Sequence, residues 1–334
     1  MKSALNIFNF SHQYVADLAW IIDSLPLLKN TSLTPDLLPP SFTRKQPTDK
    51  LRDNWLEQLN QLNQHPSSLI HYIEERPTTR VGFYYEALVS YLLHAFPDVT
   101  LLEEHLQLQD KGRTLGEIDF LYLDEISQKT IHLETAVKFY LGSSAWIDQS
   151  NSTKHWLGPM IKDRLDLKTR HLISHQSQMC FTDAFKNHSN ELGTPTPSLR
   201  QVLLQGYLFL HPKDPAPLPY SKENNEFNKS PEPLWFKQDE MTKYLSENDR
   251  FLILKKPYWL GPFHNKEHNA LLERNALEEQ IKSLIQQWNR PILVSILNTE
   301  DTTNGSTTLY KESNRCFIVP NNWAGMSPPD SSSK

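Results

Sequence analysis

The chain has 334 residues, 38% of them hydrophobic and 22% charged, the composition of a globular protein with material for one large or two modest domains, which excludes a mainly disordered chain. Its net charge of −5 supplies no overall basic field to draw it onto nucleic acid, although a local positive groove fits within an acidic total. Only Cys180 and Cys316 occur, without C-x-x-C spacing, which excludes a disulfide framework and a thiolate metal cluster and fits a reducing cytoplasm.

At the N-terminus His12, Gln13, Asp17 and Asp23 interrupt any signal-peptide core. No run approaches the roughly 18 apolar residues of a membrane span, so the expectation is a cytoplasmic protein without a membrane partner. Val15, Leu18, Ala19, Ile22 and Leu25 recur at helical spacing, as do Leu51, Trp55, Leu59 and Leu62, with the Pro-rich connector "TSLTPDLLPPSFTRKQP" between them. Residues 1–78 therefore read as a helical N-terminal extension.

A helix apolar nearly all round, "RVGFYYEALVSYLLHAF", follows and ends before Pro97. From Val99 the pattern changes to three runs of β-formers, "VTLLEEHLQLQ", "EIDFLYL" and "TIHLETAVKFYL", separated by turn residues, which predict an antiparallel meander. A helical stretch around "PMIKDRLDLKTRHLISHQSQMCF" and a buried strand "RQVLLQGYLFL" complete the order helix, three strands, helix, strand over residues 79–211.

Residues 212–233 are dense in Pro, Asn and charge and read as a linker or exposed loop. Residues 234–325 then offer strands at "LWF", "RFLILKK", "PILVSIL" and "RCFIVP" and helices at "DEMTKYL" and "EHNALLERNALEEQIKSLIQQW", a small α/β accessory region. The tail 326–334 reads as disordered. The tetrapeptide "WLGP" occurs at Trp156–Pro159 and again at Trp259–Pro262, but its flanks do not align, so it is no repeat.

Charge inside the central hairpin raises the functional question. If "GEIDFLYLDEISQKTIHLETAVKFYL" closes through the four residues Glu125–Gln128, Leu123 pairs with Thr130 and Asp119 lies opposite Glu134, with Cβ atoms roughly 4.5–5.5 Å apart. Two adjacent carboxylates persist where they share a proton or hold a cation, and a hard divalent ion such as magnesium or manganese suits them. Lys138 shares the strand face of Glu134 and is the candidate to orient water or offset phosphate charge. Glu86, in the apolar helix, is a third acid for the same centre, and His132 shares the face of Glu134 two residues earlier. Lys168 and Gln176 are singled out from the basic stretch after the hairpin as substrate-binding candidates, its other charges reading as a solvated helix face.

The helix with Glu86, the strand with Asp119 and the strand with Glu134 and Lys138, in an αβββαβ order, resemble the core of the PD-(D/E)XK nuclease superfamily. More narrowly, "LGEIDFLY", "HLETAVKFYL" and "LGPMIKDRLDLKTRHL" resemble the bacterial domain of unknown function 1853 family over most of the chain. The superfamily resemblance implies a restriction-endonuclease-like α/β fold and magnesium-dependent phosphodiester cleavage, usually of DNA. In it Asp119, Glu134 and Glu86 are the acids and Lys138 the lysine. The sequence departs from the common E-x-K spacing: Glu134 and Lys138 are four apart, so the lysine keeps its face but sits about 7 Å further along the strand.

Two readings compete with an enzyme acting on nucleic acid. One is a catalytically inactive nuclease fold that binds nucleic acid or protein. The other is a structural partner docking another protein through the C-terminal region. No H-E-x-x-H spacing among the 13 histidines and no phosphate-binding Gly-rich loop occurs, which argues against a zinc hydrolase, an ATPase or a dinucleotide enzyme.

Overall fold

The computed structural model describes residues 10, 12–24, 26–27, 37–38, 50–143, 152–216, 218, 232–265, 271–300 and 309–323. The tail 326–334, most of the linker 212–233 and most of the Pro-rich connector lie outside the described residues. In chain order the elements are α1 (Gln13–Asp23), β1 (Leu37–Leu38), α2 (Lys50–Gln64), α3 (Ser67–Glu74), α4 (Val81–Ala95), β2 (Val99–Asp110), β3 (Arg113–Asp124) and β4 (Lys129–Gly142). Then come β5 (Trp156–Leu157), α5 (Leu165–Ser174), α6 (Asp183–Leu192), β6 (Leu199–Leu210), β7 (Leu234–Lys237), α7 (Met241–Tyr244), β8 (Arg250–Ile253), β9 (His264–Asn265), α8 (Arg274–Trp288), β10 (Ile292–Glu300) and β11 (Leu309–Val319). The protein is a mixed α/β chain with more strands than expected, β1, β5 and β9 being two-residue additions; α3 and α6 are also additions, and the stretch after the hairpin divides into α5 and a 3-10 turn, Gln176–Phe181.

Two compact units form, one from residues 1–137 and 168–206, the other from 138–167 and 207–334. In the first, the strand order is β2-β3-β4-β6, with β1 parallel to β6. The β2–β3 and β3–β4 pairs are antiparallel, as short local connections require. Helix α4 is apolar nearly all round because most of it is buried: Tyr84, Tyr85, Leu88, Val89, Leu92 and Leu93 are all inside.

Burying two tyrosines obliges the fold to satisfy their hydroxyls. Tyr84 donates to Asp17 of α1 at 2.5 Å, and Tyr85 donates to Gln205 of β6 at 2.8 Å. Gln205 in turn donates to the Ile21 and Ser24 carbonyls at 2.8 and 3.0 Å. This network fixes α1, α4 and β6 against one another and orients the helix that carries Glu86.

The second unit has the order β6-β7-β11-β10-β8, with β7 parallel to both neighbours and β10 antiparallel to both of its own. Leu277, Ile281 and Ile285 form a stripe at four-residue spacing on α8 and pack with Phe236, Phe251, Val294 and Ile318. Each such side chain stabilises the fold by about 1.5–3 kcal/mol. The two "WLGP" segments are held by different devices. Arg315 donates to the carbonyls of Trp259, Leu260 and Gly261 at 2.7, 3.1 and 2.9 Å, whereas Pro159 O of the first copy accepts from the Trp323 indole at 2.7 Å.

Arg315 also donates to Glu312 at 2.6 Å, and both side chains are buried. Arg315→Ala leaves the buried Glu312 carboxylate without its cation and takes a donor from three carbonyls, so a loss of about 3–5 kcal/mol in unfolding free energy is expected from urea denaturation. A loss below about 1 kcal/mol would mean that the Trp259–Pro262 turn is held by other contacts.

Candidate functional site

The hairpin closes in the expected register: Leu123 pairs with Thr130 and Phe120 with Leu133. There the β3–β4 ladder ends; carried one step further the same register sets Asp119 across from Glu134, and side chains replace the backbone pairing. The Thr135 amide and hydroxyl donate to Asp119 Oδ2 at 2.7 and 3.2 Å. Asp119 Oδ1 has no hydrogen bond among the described residues.

Pairing lapses on the other side of Asp119 as well. Glu104 pairs with Phe120 and Leu106 with Ile118, but no pair forms between His105 and Asp119. His105 has φ 52°, a left-handed conformation that costs a non-glycine residue about 1–3 kcal/mol and concentrates at functional sites. Its Nδ1 lies 3.0 Å from Glu117 Oε1. No periodicity in "EEHLQLQ" signals this conformation, which is why sequence reading misses His105.

Glu134 is fully buried between two neutral partners. His132 Nε2 is 2.6 Å from Oε1, and Gln176 Nε2 donates to Oε2 at 3.1 Å. Lys168 donates to Gln176 Oε1 at 3.0 Å, so the two residues expected to bind substrate form a relay ending on Glu134. The 3-10 turn that bears Gln176 lies close on β3: a Cβ at Gly116 would come within 2.8 Å of Met179 Sδ. His132 Nδ1 is buried without a partner among the described residues, and burial holds the ring neutral, its pKa pulled down to about 4.

The carboxylates move the opposite way. Burial, then the Glu134 charge, raises Asp119 to about 7 against the pull of Thr135 and Lys168. Burial raises Glu134 to about 8, with Glu117 and Glu86 adding to it. Glu86 rises to about 7 through burial and Asp119. Lys168 is the cation whose field opposes all three. The structure therefore groups Glu86, Asp119 and Glu134 electrostatically and joins Lys168 and Gln176 to them.

Lys138 is engaged elsewhere, its Nζ 2.5 Å from Asp163 Oδ2 in the second unit. Arg164 pairs with Asp166 through two hydrogen bonds of 2.5 and 3.0 Å, so these basic residues neutralise local aspartates instead of the hairpin acids. Among the described residues no group of three or more His, Cys, Asp or Glu side chains is arranged to hold a metal ion. Asp119 and Glu134 form a two-carboxylate arrangement, to which Glu86 contributes its field.

Raised carboxyl pKa values make folding take up protons between the unfolded values near 4 and the folded values of about 7 to 8. The stability from the protonated forms is complete below that window and is lost as pH rises through it. Metal-free protein is therefore expected to melt at progressively lower temperature from pH 5 to pH 8, with a shallower slope in Glu134→Gln. An equal slope in that variant would contradict the assignment.

No curated protein and no solved structure matches the chain. Among the described residues no helix is long and apolar enough to cross a membrane. A family model matches residues 16–319, and by that match over most of its length the chain belongs to the family described as Domain of unknown function (DUF1853).

Proposed function

We propose that this protein is a metal-dependent phosphodiester hydrolase of the nuclease class. The observation that carries the reading is the buried Asp119–Glu134 pair, Asp119 held by the Thr135 amide and Glu134 by His132 and Gln176, with the Lys168 charge opposing both. The order α4-β2-β3-β4-β5-α5-α6-β6, an αβββαβ succession apart from the two-residue β5 and the added α6, with acids on the helix and on two adjacent strands, supports the PD-(D/E)XK resemblance and its restriction-endonuclease-like core.

The donor set fits a hard divalent cation. Carboxylate oxygens suit magnesium or manganese, and magnesium takes one or two protein carboxylates with water and phosphate filling the rest. Asp119 Oδ1 lacks a hydrogen bond, and each Glu134 oxygen accepts one side-chain bond with a second lone-pair site remaining. Asp119 and Glu134 are thus the residues that would hold the ion, which when bound supplies charge neutralisation and a more acidic water.

In the hydrolysis, water oxygen forms a bond to phosphorus as the bond to the leaving sugar oxygen breaks, and the water proton passes to solvent or to that oxygen. Lys168, not Lys138, takes the cationic role toward the phosphate, because Lys138 is committed to Asp163. Gln176 holds both the Lys168 ammonium and Glu134 and positions each. The same engagement of Lys138 favours a second reading, an inactive nuclease fold that binds nucleic acid or protein.

Cleavage assays with magnesium or manganese on labelled single- and double-stranded DNA and RNA separate the two. Activity is expected in the wild type, with Asp119→Asn, Glu134→Gln and Lys168→Ala each lowering it by about 10²–10³-fold and Lys138→Ala by less than about fivefold. Equal damage from Lys138→Ala would return the catalytic role to Lys138. A wild type that cleaves nothing but retains nucleic acid would favour the binding module.

A further inference from the structure

Two phenylalanines on the first unit are more than half exposed, Phe83 at 53% and Phe181 at 52%, and unlike the more exposed Leu192 they are aromatic. A globular chain tolerates single exposed apolar residues, so exposure alone says little. Their placement says more. Phe83 lies three residues before Glu86 on α4, and at that spacing the two share one face of the helix. That face, with Gly82, Phe83, Glu86 and Ala87, is the less buried one. Phe181 ends the 3-10 turn that begins with Gln176, the residue hydrogen-bonded to Glu134. Each exposed ring therefore comes from an element that delivers a site residue.

Each ring also carries a guanidinium. Arg80 lies over Phe83 at 5.2 Å and Arg200 over Phe181 at 4.9 Å. Arg200 is tied to the same turn through the Ser177 carbonyl and hydroxyl, both at 3.5 Å. An aromatic ring with an arginine against it offers two things to a nucleic acid, a stacking surface for a base and a cation for the adjoining phosphate. Bases paired within a duplex keep their faces stacked on each other, so an aromatic platform takes up unpaired bases.

Resting on the nuclease reading above, we infer that the substrate is single-stranded nucleic acid, gripped by base stacking on Phe83 and Phe181 and by phosphate contacts from Arg80 and Arg200. The two platforms flank the carboxylate centre in sequence, one ahead of Glu86 and one after Gln176, and hold a strand on the elements that carry those two residues. The chain's negative net charge is no obstacle, because stacking supplies affinity that does not depend on a broad basic surface.

Fluorescence anisotropy with labelled single-stranded DNA and RNA oligonucleotides and a matching duplex, at one salt concentration with calcium present, tests this. Single strands are expected to bind at least tenfold more tightly than duplex. Phe83→Ala and Phe181→Ala are each expected to weaken single-strand binding by roughly five- to tenfold, with duplex binding and melting temperature unchanged and Phe181→Trp retaining affinity. Preference between DNA and RNA identifies the source of the strand. Tighter duplex binding, or single-strand binding indifferent to loss of both rings, would overturn the inference and leave the nuclease reading in place. A wild type that binds no nucleic acid of any form would overturn both.

Discussion

Burying two carboxylates beside each other sets the terms for the rest of the first unit. Asp119 and Glu134 meet where the β3–β4 ladder stops, and the Asp119 carboxylate accepts from the Thr135 amide on the strand of Glu134. The chain thereby exchanges regular sheet bonds for a fixed anionic pair. Burial pushes both acids up toward neutrality in pKa, Asp119 further through the Glu134 charge and Glu134 further through Glu117 and Glu86, so the folded protein favours a proton there in the absence of a cation. A chain selected for stability alone gains nothing from this arrangement, since replacing buried charges by apolar groups is often neutral or stabilising.

The surroundings are organised to keep the pair in place without cancelling its charge. His132 is neutral and Gln176 is an amide, and both hold Glu134. Lys168 approaches through Gln176. The left-handed His105 across from Asp119 and His132 Nδ1, unpartnered among the described residues, are local costs, and both lie beside the same two acids. Support comes from a distance: the Tyr85–Gln205 bond and the Tyr84–Asp17 bond fix α4, and α4 presents Glu86.

Much of this was legible in the sequence. The turn "DEISQK" between alternating strands set the hairpin register, and that register alone placed Asp119 across from Glu134. The long apolar α4 and the α8 stripe were equally plain, because their periodicities are strong. Other features left no such trace. Lys138 shares a strand face with Glu134 but is captured by Asp163, 25 residues on, a partner that strand parity cannot reveal. Lys168 reaches the acids through Gln176, a tertiary contact between a helix and the turn after it. The conformation of His105 follows from the lapse in pairing at Asp119 and has no compositional marker. The short α3 and α6 lack a long enough periodic run to stand out, and β1, β5 and β9 are two-residue pairings set by tertiary context.

On the proposed reading Asp119 and Glu134 exchange protons for a divalent cation. Calorimetric titration of manganese into wild type, Asp119→Asn and Glu134→Gln at pH 7, in two buffers of different ionisation enthalpy, addresses it most directly. The account requires binding by the wild type with net release of protons, since carboxyls that titrate near pH 7 to 8 must deprotonate to hold the ion, and loss of both binding and proton release in either variant. Absence of binding in the wild type, or binding without proton release that survives in both variants, would contradict it.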